Sequence, residues 1–230
     1  MKTLGLLGGM SWESTQHYYR ALNEGVKQTL GGLHSAKLVL YSVDFAEIER
    51  LQHQGNWAET AVILAAAAQS VERAGAEGLL ICTNTMHKVA DDIQAAITIP
   101  LLHIADATGE ALQRDGIKQV GLLGTAFTME QAFYKDRLEK RFGLTVRVPN
   151  PNDRADVHRI IYDELCRGKV LPESRTRYLT VMDELYEDGA QAIILGCTEI
   201  AMLVGSDDTD IPLYDTTALH ANAAVTWALS

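Results

Sequence analysis

Gly75-Ala76-Glu77-Gly78-Leu79-Leu80-Ile81-Cys82-Thr83-Asn84-Thr85 and Gly189-Ala190-Gln191-Ala192-Ile193-Ile194-Leu195-Gly196-Cys197-Thr198-Glu199 are one pattern written twice. Each has a Gly-Ala pair, a short apolar run and a polar loop. Superposed at an offset of 114 residues, Leu79-Leu80-Ile81 meets Ile193-Ile194-Leu195, and Cys197 falls on Thr83 rather than on Cys82. A second pair repeats at 116 residues: Lys2-Thr3-Leu4-Gly5-Leu6-Leu7-Gly8-Gly9 and Lys118-Gln119-Val120-Gly121-Leu122-Leu123-Gly124-Thr125. Short apolar runs closed by glycine or polar residues read as strands buried on both faces of a parallel sheet.

Outward from these runs, strands and helices alternate. Strands are expected over residues 3–7, 37–43, 78–82, 100–104, 118–125, 145–149, 192–196 and 211–215. Helices are expected over 14–30, 45–54, 57–74, 86–96, 129–141, 154–167, 173–188 and 217–229, several of them stopped by glycine. Alternation of this kind gives parallel sheets covered by helices on both faces. The fold class is therefore α/β: two homologous three-layer α/β halves with mainly parallel sheets, related by a pseudo-twofold duplication. The first half takes residues 1–102 plus the C-terminal helix at 215–230, and the second takes 103–214. The join, near 102–115, has no Pro/Gly/Ser linker. Ligands of open α/β sheets bind beyond the C-terminal ends of the strands. That singles out four loops, 8–14, 83–85, 124–128 and 197–199, expected to meet at an active site in the cleft between the halves.

Composition narrows the partners. The 230 residues carry a net charge of −10, which argues against nucleic acid or anionic membrane as the main partner. No apolar run approaches the roughly 20 residues that a membrane span needs. The N-terminal apolar run is cut at Gly8-Gly9, unlike the core of a signal peptide. The three cysteines, Cys82, Cys166 and Cys197, have no framework spacing and read as free thiols in the cytoplasm.

Cys197 ends an apolar strand and precedes a helix start at Thr198-Glu199. A helix N-terminus lowers a thiol pKa from about 8.5 and favours the thiolate. Thr83-Asn84-Thr85 offers two hydroxyls, an amide and backbone N–H groups. It suits a carboxylate, or serves as a cap for the helix near Met86. Gly8-Gly9-Met10-Ser11 is neither G-x-G-x-x-G nor a P-loop and reads as close backbone approach to a small ligand. Cys82 points to the other side of its strand from Thr83 and belongs to the core. Cys166 reads as structural, and His87 either as structural or as a group that could polarise a neighbour. No H-E-x-x-H, C-x-x-C or clustered His/Asp set supports a metal site.

Four motifs resemble the aspartate/glutamate racemase family, the pyridoxal-phosphate-independent amino-acid racemases. They are Gly-Leu-Leu-Gly-Gly-Met at 5–10, Asn84-Thr85-Met86-His87, Leu122-Leu123-Gly124-Thr125 and Gly196-Cys197-Thr198-Glu199-Ile200. The resemblance spans nearly the whole chain and implies an isomerase acting on L-aspartate or L-glutamate. It implies no cofactor, a homodimer, and a substrate enclosed by two α/β halves. In the family two cysteines exchange protons at the two faces of Cα, and here Thr83 stands in the first-half position opposite Cys197. The resemblance thus implies Thr83 and Cys197 as the catalytic pair, with Cys197 the base for the L-enantiomer. A threonine hydroxyl is a poor base, so the L-to-D direction is expected to be favoured kinetically. Substrate contacts are implied for Met10, Gln52, Asn84, Thr85, Thr128, Lys169, Thr198 and Glu199. Lys169 resembles a family lysine that pairs with a substrate carboxylate. Two rivals stay open: a single-cysteine decarboxylase or isomerase of the same superfamily, and a non-catalytic amino-acid binding protein.

Overall fold

The computed structural model describes all residues, 1–230. Two compact units divide them: Met1–Ile104 with His220–Ser230, and Ala105–Leu219. The chain therefore leaves the first unit after Ile104 and re-enters it at His220.

The first unit opens with β1 (Leu4–Gly8), α1 (Trp12–Leu30), β2 (Leu38–Ser42), α2 (Phe45–His53), α3 (Trp57–Arg73) and β3 (Gly78–Ile81). A 3-10 turn at Thr85–Val89, α4 (Ala90–Ala95) and β4 (Leu101–Leu102) follow. Its four strands are all parallel, in the order β2-β1-β3-β4. After α5 (Ile104–Arg114), the second unit runs β5 (Gln119–Gly124), α6 (Ala126–Glu130), α7 (Ala132–Phe142), β6 (Thr145–Arg147) and α8 (Pro151–Asp163). It continues with a 3-10 turn at Leu165–Arg167, α9 (Pro172–Glu187), β7 (Ala192–Gly196), α10 (Ile200–Leu203), β8 (Leu213–Asp215) and the start of α11 (Thr216–Leu229). Its sheet, β6-β5-β7-β8, is also all parallel. The two strand orders are the same, as a duplicated α/β unit requires. Leu7 pairs with Ile81 in one sheet and Leu123 with Leu195 in the other, so the written repeat is a repeat of register.

Strand alternation sorts the core of the first unit into two layers. Leu7, Leu79 and Ile81 join Ile48, Leu64, Val71 and Ile93 of α2, α3 and α4 on one face. Leu4, Leu6, Leu80 and Cys82 face the other way, onto Tyr18, Leu22 and Val26 of α1 and Ala221, Ala224, Val225 and Ala228 of α11. Cys82 is fully buried there, on the face its register predicts. Gly78 has no room for a side chain, because a Cβ would lie 2.6 Å from the Trp227 ring. Each fully buried leucine or isoleucine contributes about 1.5–3 kcal/mol over an exposed one. In the second unit Leu123, Ile193 and Leu195 pack with Val157, Ile160, Tyr178 and Met182 of α8 and α9.

Two local expectations are corrected, and one element is added. The stretch 102–115, where the units divide after Ile104, also contains the helix α5. Gly109 masks it in the sequence; it is there because a Cβ would sit 2.4 Å from the Phe142 ring. The single helix expected over 129–141 is two, α6 and α7, broken where Gln131 turns extended at ψ 150°; nothing in the local sequence explains the break. The helix expected over 154–167 starts earlier, at Pro151 behind the Asn150 cap, and stops at Asp163. Glu164 leaves helical geometry and accepts from Ser174 Oγ (2.5 Å) and Arg159 Nη1 (3.3 Å).

Candidate active site

In each sheet the order reverses between the first and third strands in sequence. The loops after β1 and β3 therefore flank one switch point, and those after β5 and β7 flank the other, where ligands of open α/β sheets bind.

At the first switch point the backbone is tightly held. Gly9 N–H donates to Thr15 Oγ1 at 2.8 Å, and Thr15 Oγ1 donates to Ser11 O at 2.9 Å. Gly9 has φ +89°, and a Cβ on it would meet Val43 O at 2.3 Å. Ser14 Oγ donates to Cys82 O at 3.0 Å, which ties the start of α1 to the end of β3. Met10, expected at the substrate, has its side chain in the apolar layer with Leu7 and Ile48. Gln52, on α2, is 3% exposed, and its Oε1 has no hydrogen-bond partner. An unsatisfied buried amide oxygen costs about 1–3 kcal/mol unless something donates to it. Gln52 therefore carries an unmet acceptor.

The polar loop after β3 is mostly buried. Cys82, Asn84 and Thr85 lie inside, and Thr83 alone among them is partly exposed. Asn84 occupies the cap position of the 3-10 turn, yet its side chain makes no capping bond, so the cap reading of this loop is not what the structure contains. His87 contacts the same loop: its Nδ1 lies 2.8 Å from Thr83 O.

The second switch point repeats the arrangement with different chemistry. Gly196, Thr198 and Glu199 are buried, and Cys197 alone in that run is partly exposed. Thr83 stands two residues beyond Ile81, and Cys197 two beyond Leu195, so the partly exposed positions are equivalent in register. Cys197 Sγ donates to Glu199 Oε2 at 3.0 Å, and Thr198 Oγ1 donates to the same oxygen at 2.6 Å. Burial and then the adjacent Glu199 carboxylate push the Cys197 thiol well above its ordinary range. This reverses the sequence expectation. The helix after the loop, α10, is only four residues long, too short for a macrodipole that would outweigh desolvation and a buried anion. Cys82 is also raised, by burial alone.

Thr128 is fully buried in α6, its hydroxyl 3.3 Å from Thr125 Oγ1. Lys169 is exposed, and its backbone N–H donates to Glu164 O at 2.9 Å. Sequence reasoning missed Thr217, at the start of α11 beside β8. Its hydroxyl is buried without a hydrogen-bond partner, and only the strand-end position of Asp215-Thr216-Thr217 hinted at it.

Residues 7–224 match the family model described as Asp/Glu/Hydantoin racemase. The fold is similar to the crystal structure of a putative Asp/Glu racemase from Yersinia pestis, with a TM-score of 0.94 and 56% identity over 100% of both chains. It is also similar to an aspartate racemase homologue from Pyrococcus horikoshii OT3, with a TM-score of 0.87 and 32% identity, again over 100% of both chains. In sequence it is 22% identical to the broad specificity amino-acid racemase RacX of Bacillus subtilis (strain 168), over 99% of this chain and 98% of that protein.

Proposed function

Because this chain belongs to the Asp/Glu/hydantoin racemase family and is an isomerase of the amino-acid racemase type, we propose that it racemises L-aspartate and L-glutamate by proton exchange at Cα without a cofactor. The observation that carries this reading is the register match: of each polar strand-end run, only Thr83 and Cys197 are partly exposed. Cys197 is the base for the L-enantiomer, and Thr83 delivers a proton to the opposite face.

The resting thiol is protonated, so the first step is transfer of its proton to Glu199, the carboxylate it already faces. This gives Glu199 a role other than the substrate contact expected for it. The thiolate then takes the α-proton and becomes a thiol again, leaving a carbanion. The Thr83 hydroxyl, directly or through one water, gives the carbanion a proton and regains one from solvent. Glu199 releases its proton to solvent, and the net change is inversion alone. Hydrogen bonds from Asn84, Thr85 and the backbone N–H of Thr198 stabilise the charge that spreads onto the substrate carboxylate. Gln52 Oε1 accepts from the substrate ammonium, and Lys169 pairs with the side-chain carboxylate. Met10 and Thr128 support the glycine loop and the α6 loop from inside.

A thiol titrates in the alkaline range and a threonine hydroxyl does not, so deprotonation from the Thr83 side is slow. The equilibrium between enantiomers is untouched; only the kinetics are lopsided. We further propose a cytoplasmic homodimer; three cysteines that form no disulfide suit a reducing compartment.

The test is α-proton exchange in heavy water from pure L- and pure D-substrate. Rapid exchange from L and slow exchange from D is expected, with Thr83→Cys raising the D rate. Equal rates from the two enantiomers in the unmodified protein would sink the reading. The presence of a single thiol among the two matched positions also favours a decarboxylase that protonates a carbanion on one face. Release of carbon dioxide from a substituted malonate would identify that chemistry.

A further inference from the structure

We infer that His87 is a positioning residue: it holds the Thr83 loop to the segment through which the chain leaves the first unit. His87 is buried in the 3-10 turn that follows the loop. Its Nδ1 is 2.8 Å from Thr83 O, and its Nε2 is 3.2 Å from Ile104 N. A carbonyl oxygen can only accept, and a backbone amide can only donate. The imidazole is therefore neutral, with its hydrogen on Nδ1 and a lone pair on Nε2. One ring fixes the carbonyl of Thr83 at one end and the amide of Ile104, the last residue before the second unit, at the other.

The return passage is pinned by the same means. His220, the first residue back in the first unit, lies with Nε2 2.7 Å from Leu102 O and Nδ1 2.8 Å from the Tyr18 hydroxyl. The Leu102 carbonyl can only accept, which puts a hydrogen on His220 Nε2. Its ring is 6.0 Å from that of His87, and the His103 ring is 4.4 Å from His87. A plain packing residue would need neither fixed tautomer. The arrangement transmits any shift at residue 104 to the carbonyl of residue 83, whose hydroxyl must meet a carbanion within hydrogen-bond reach.

This rests on the proposed racemisation for its kinetic consequence, but not for its geometry, and two measurements separate them. The first is nitrogen NMR of the full-length protein labelled at histidine. At neutral pH His87 is expected to give a signal with a protonated Nδ1 and a bare Nε2 that vanishes in His87→Phe and persists in His53→Ala, His53 being the other histidine whose Nδ1 faces a backbone carbonyl. Absence of such a signal, or its survival in His87→Phe, overturns the clamp whatever the protein catalyses. The second uses α-deuterated L-aspartate in ordinary water. Washout of deuterium with retention reports Cys197 alone, and inversion also needs Thr83. If His87 positions Thr83, His87→Phe raises the ratio of washout to inversion about tenfold or more, since small misplacements are costly to a proton donor. His87→Asn, which keeps a donor where Nδ1 stood, should restore the ratio, and His87→Gln should not. An unchanged ratio in His87→Phe and His87→Gln, with both rates lowered alike, would reduce His87 to a structural role. No washout from the unmodified protein would instead remove the racemase reading and leave the NMR test of the clamp standing.

Discussion

Cys197 Sγ lies 3.0 Å from Glu199 Oε2, a carboxylate two residues further along the same loop. A thiol beside a buried anion is a weaker acid than a free one, yet it also has a proton acceptor in place. The pair reconciles a thiol that rests protonated with a reaction that needs its thiolate.

Glu199→Gln removes the charge and keeps the shape. The Cys197 pKa should fall towards the ordinary range near 8.5, because the anion that opposed ionisation is gone. The pH profile of alkylation by iodoacetamide reads this directly: the midpoint moves down relative to the unmodified protein. Turnover at neutral pH should nevertheless drop about 10²-fold, within the usual range for losing one acid–base group. A faster alkylation with undiminished turnover would show that Glu199 only burdens the thiol.

Burial raises Cys82 in the folded protein, and an unfolded chain ionises it near pH 8.5. The folded-state pKa is the higher of the two. Its contribution to stability is therefore complete below about pH 8.5 and is lost as the pH climbs towards the folded value. Thermal unfolding across pH 8 to 10 should show a falling Tm, with a shallower fall in Cys82→Ala. At neutral pH that variant is also less stable, since it trades a buried sulfur for a small void in the layer with Leu6 and Leu80.

Lys169→Met should raise KM for aspartate and glutamate about tenfold, equivalent to roughly 1.4 kcal/mol of binding, with little change in kcat. Amino acids lacking a side-chain carboxylate should be unaffected. Steady-state kinetics on both substrate classes checks this; equal effects on the two would take Lys169 out of the substrate's reach.

Gly9→Ala should be damaging out of proportion to one methyl group. The residue sits at φ +89°, and the added carbon would lie 2.3 Å from Val43 O. Strain of this kind costs about 1–3 kcal/mol. In a chain of this size that is a Tm loss of several degrees, at about 2–4 °C per kcal/mol. Calorimetry gives the figure, and a Tm within 1–2 °C of the unmodified protein, on the same scale, would contradict the close approach drawn here.

Much of this was legible in the sequence because it is encoded locally. The doubled Gly-Ala-apolar run encodes the strands, and the pleat's period of two separates Cys82 from Thr83. What escaped depends on partners distant in the chain. Gly109 hid α5 because it serves the Phe142 ring, 33 positions away. The Cys197 thiol shifts opposite to what its motif implies, because helix length and the burial of its neighbour Glu199 are features of packing, not of the motif. The orphaned Oε1 of Gln52 and the hydroxyl of Thr217 are known only once burial is known.

The apolar face of α11 closes one layer of the first unit, and Trp227 fills the space that Gly78 leaves. Lys2 N–H is bonded to Ala228 O, at 2.8 Å. On the ribosome, that unit is begun first and completed last. Its leading hundred residues, with Leu4, Leu6, Leu80 and Cys82 covered by α1 alone, must wait until α11 leaves the exit tunnel. The second unit, encoded without interruption, has all its parts in hand earlier.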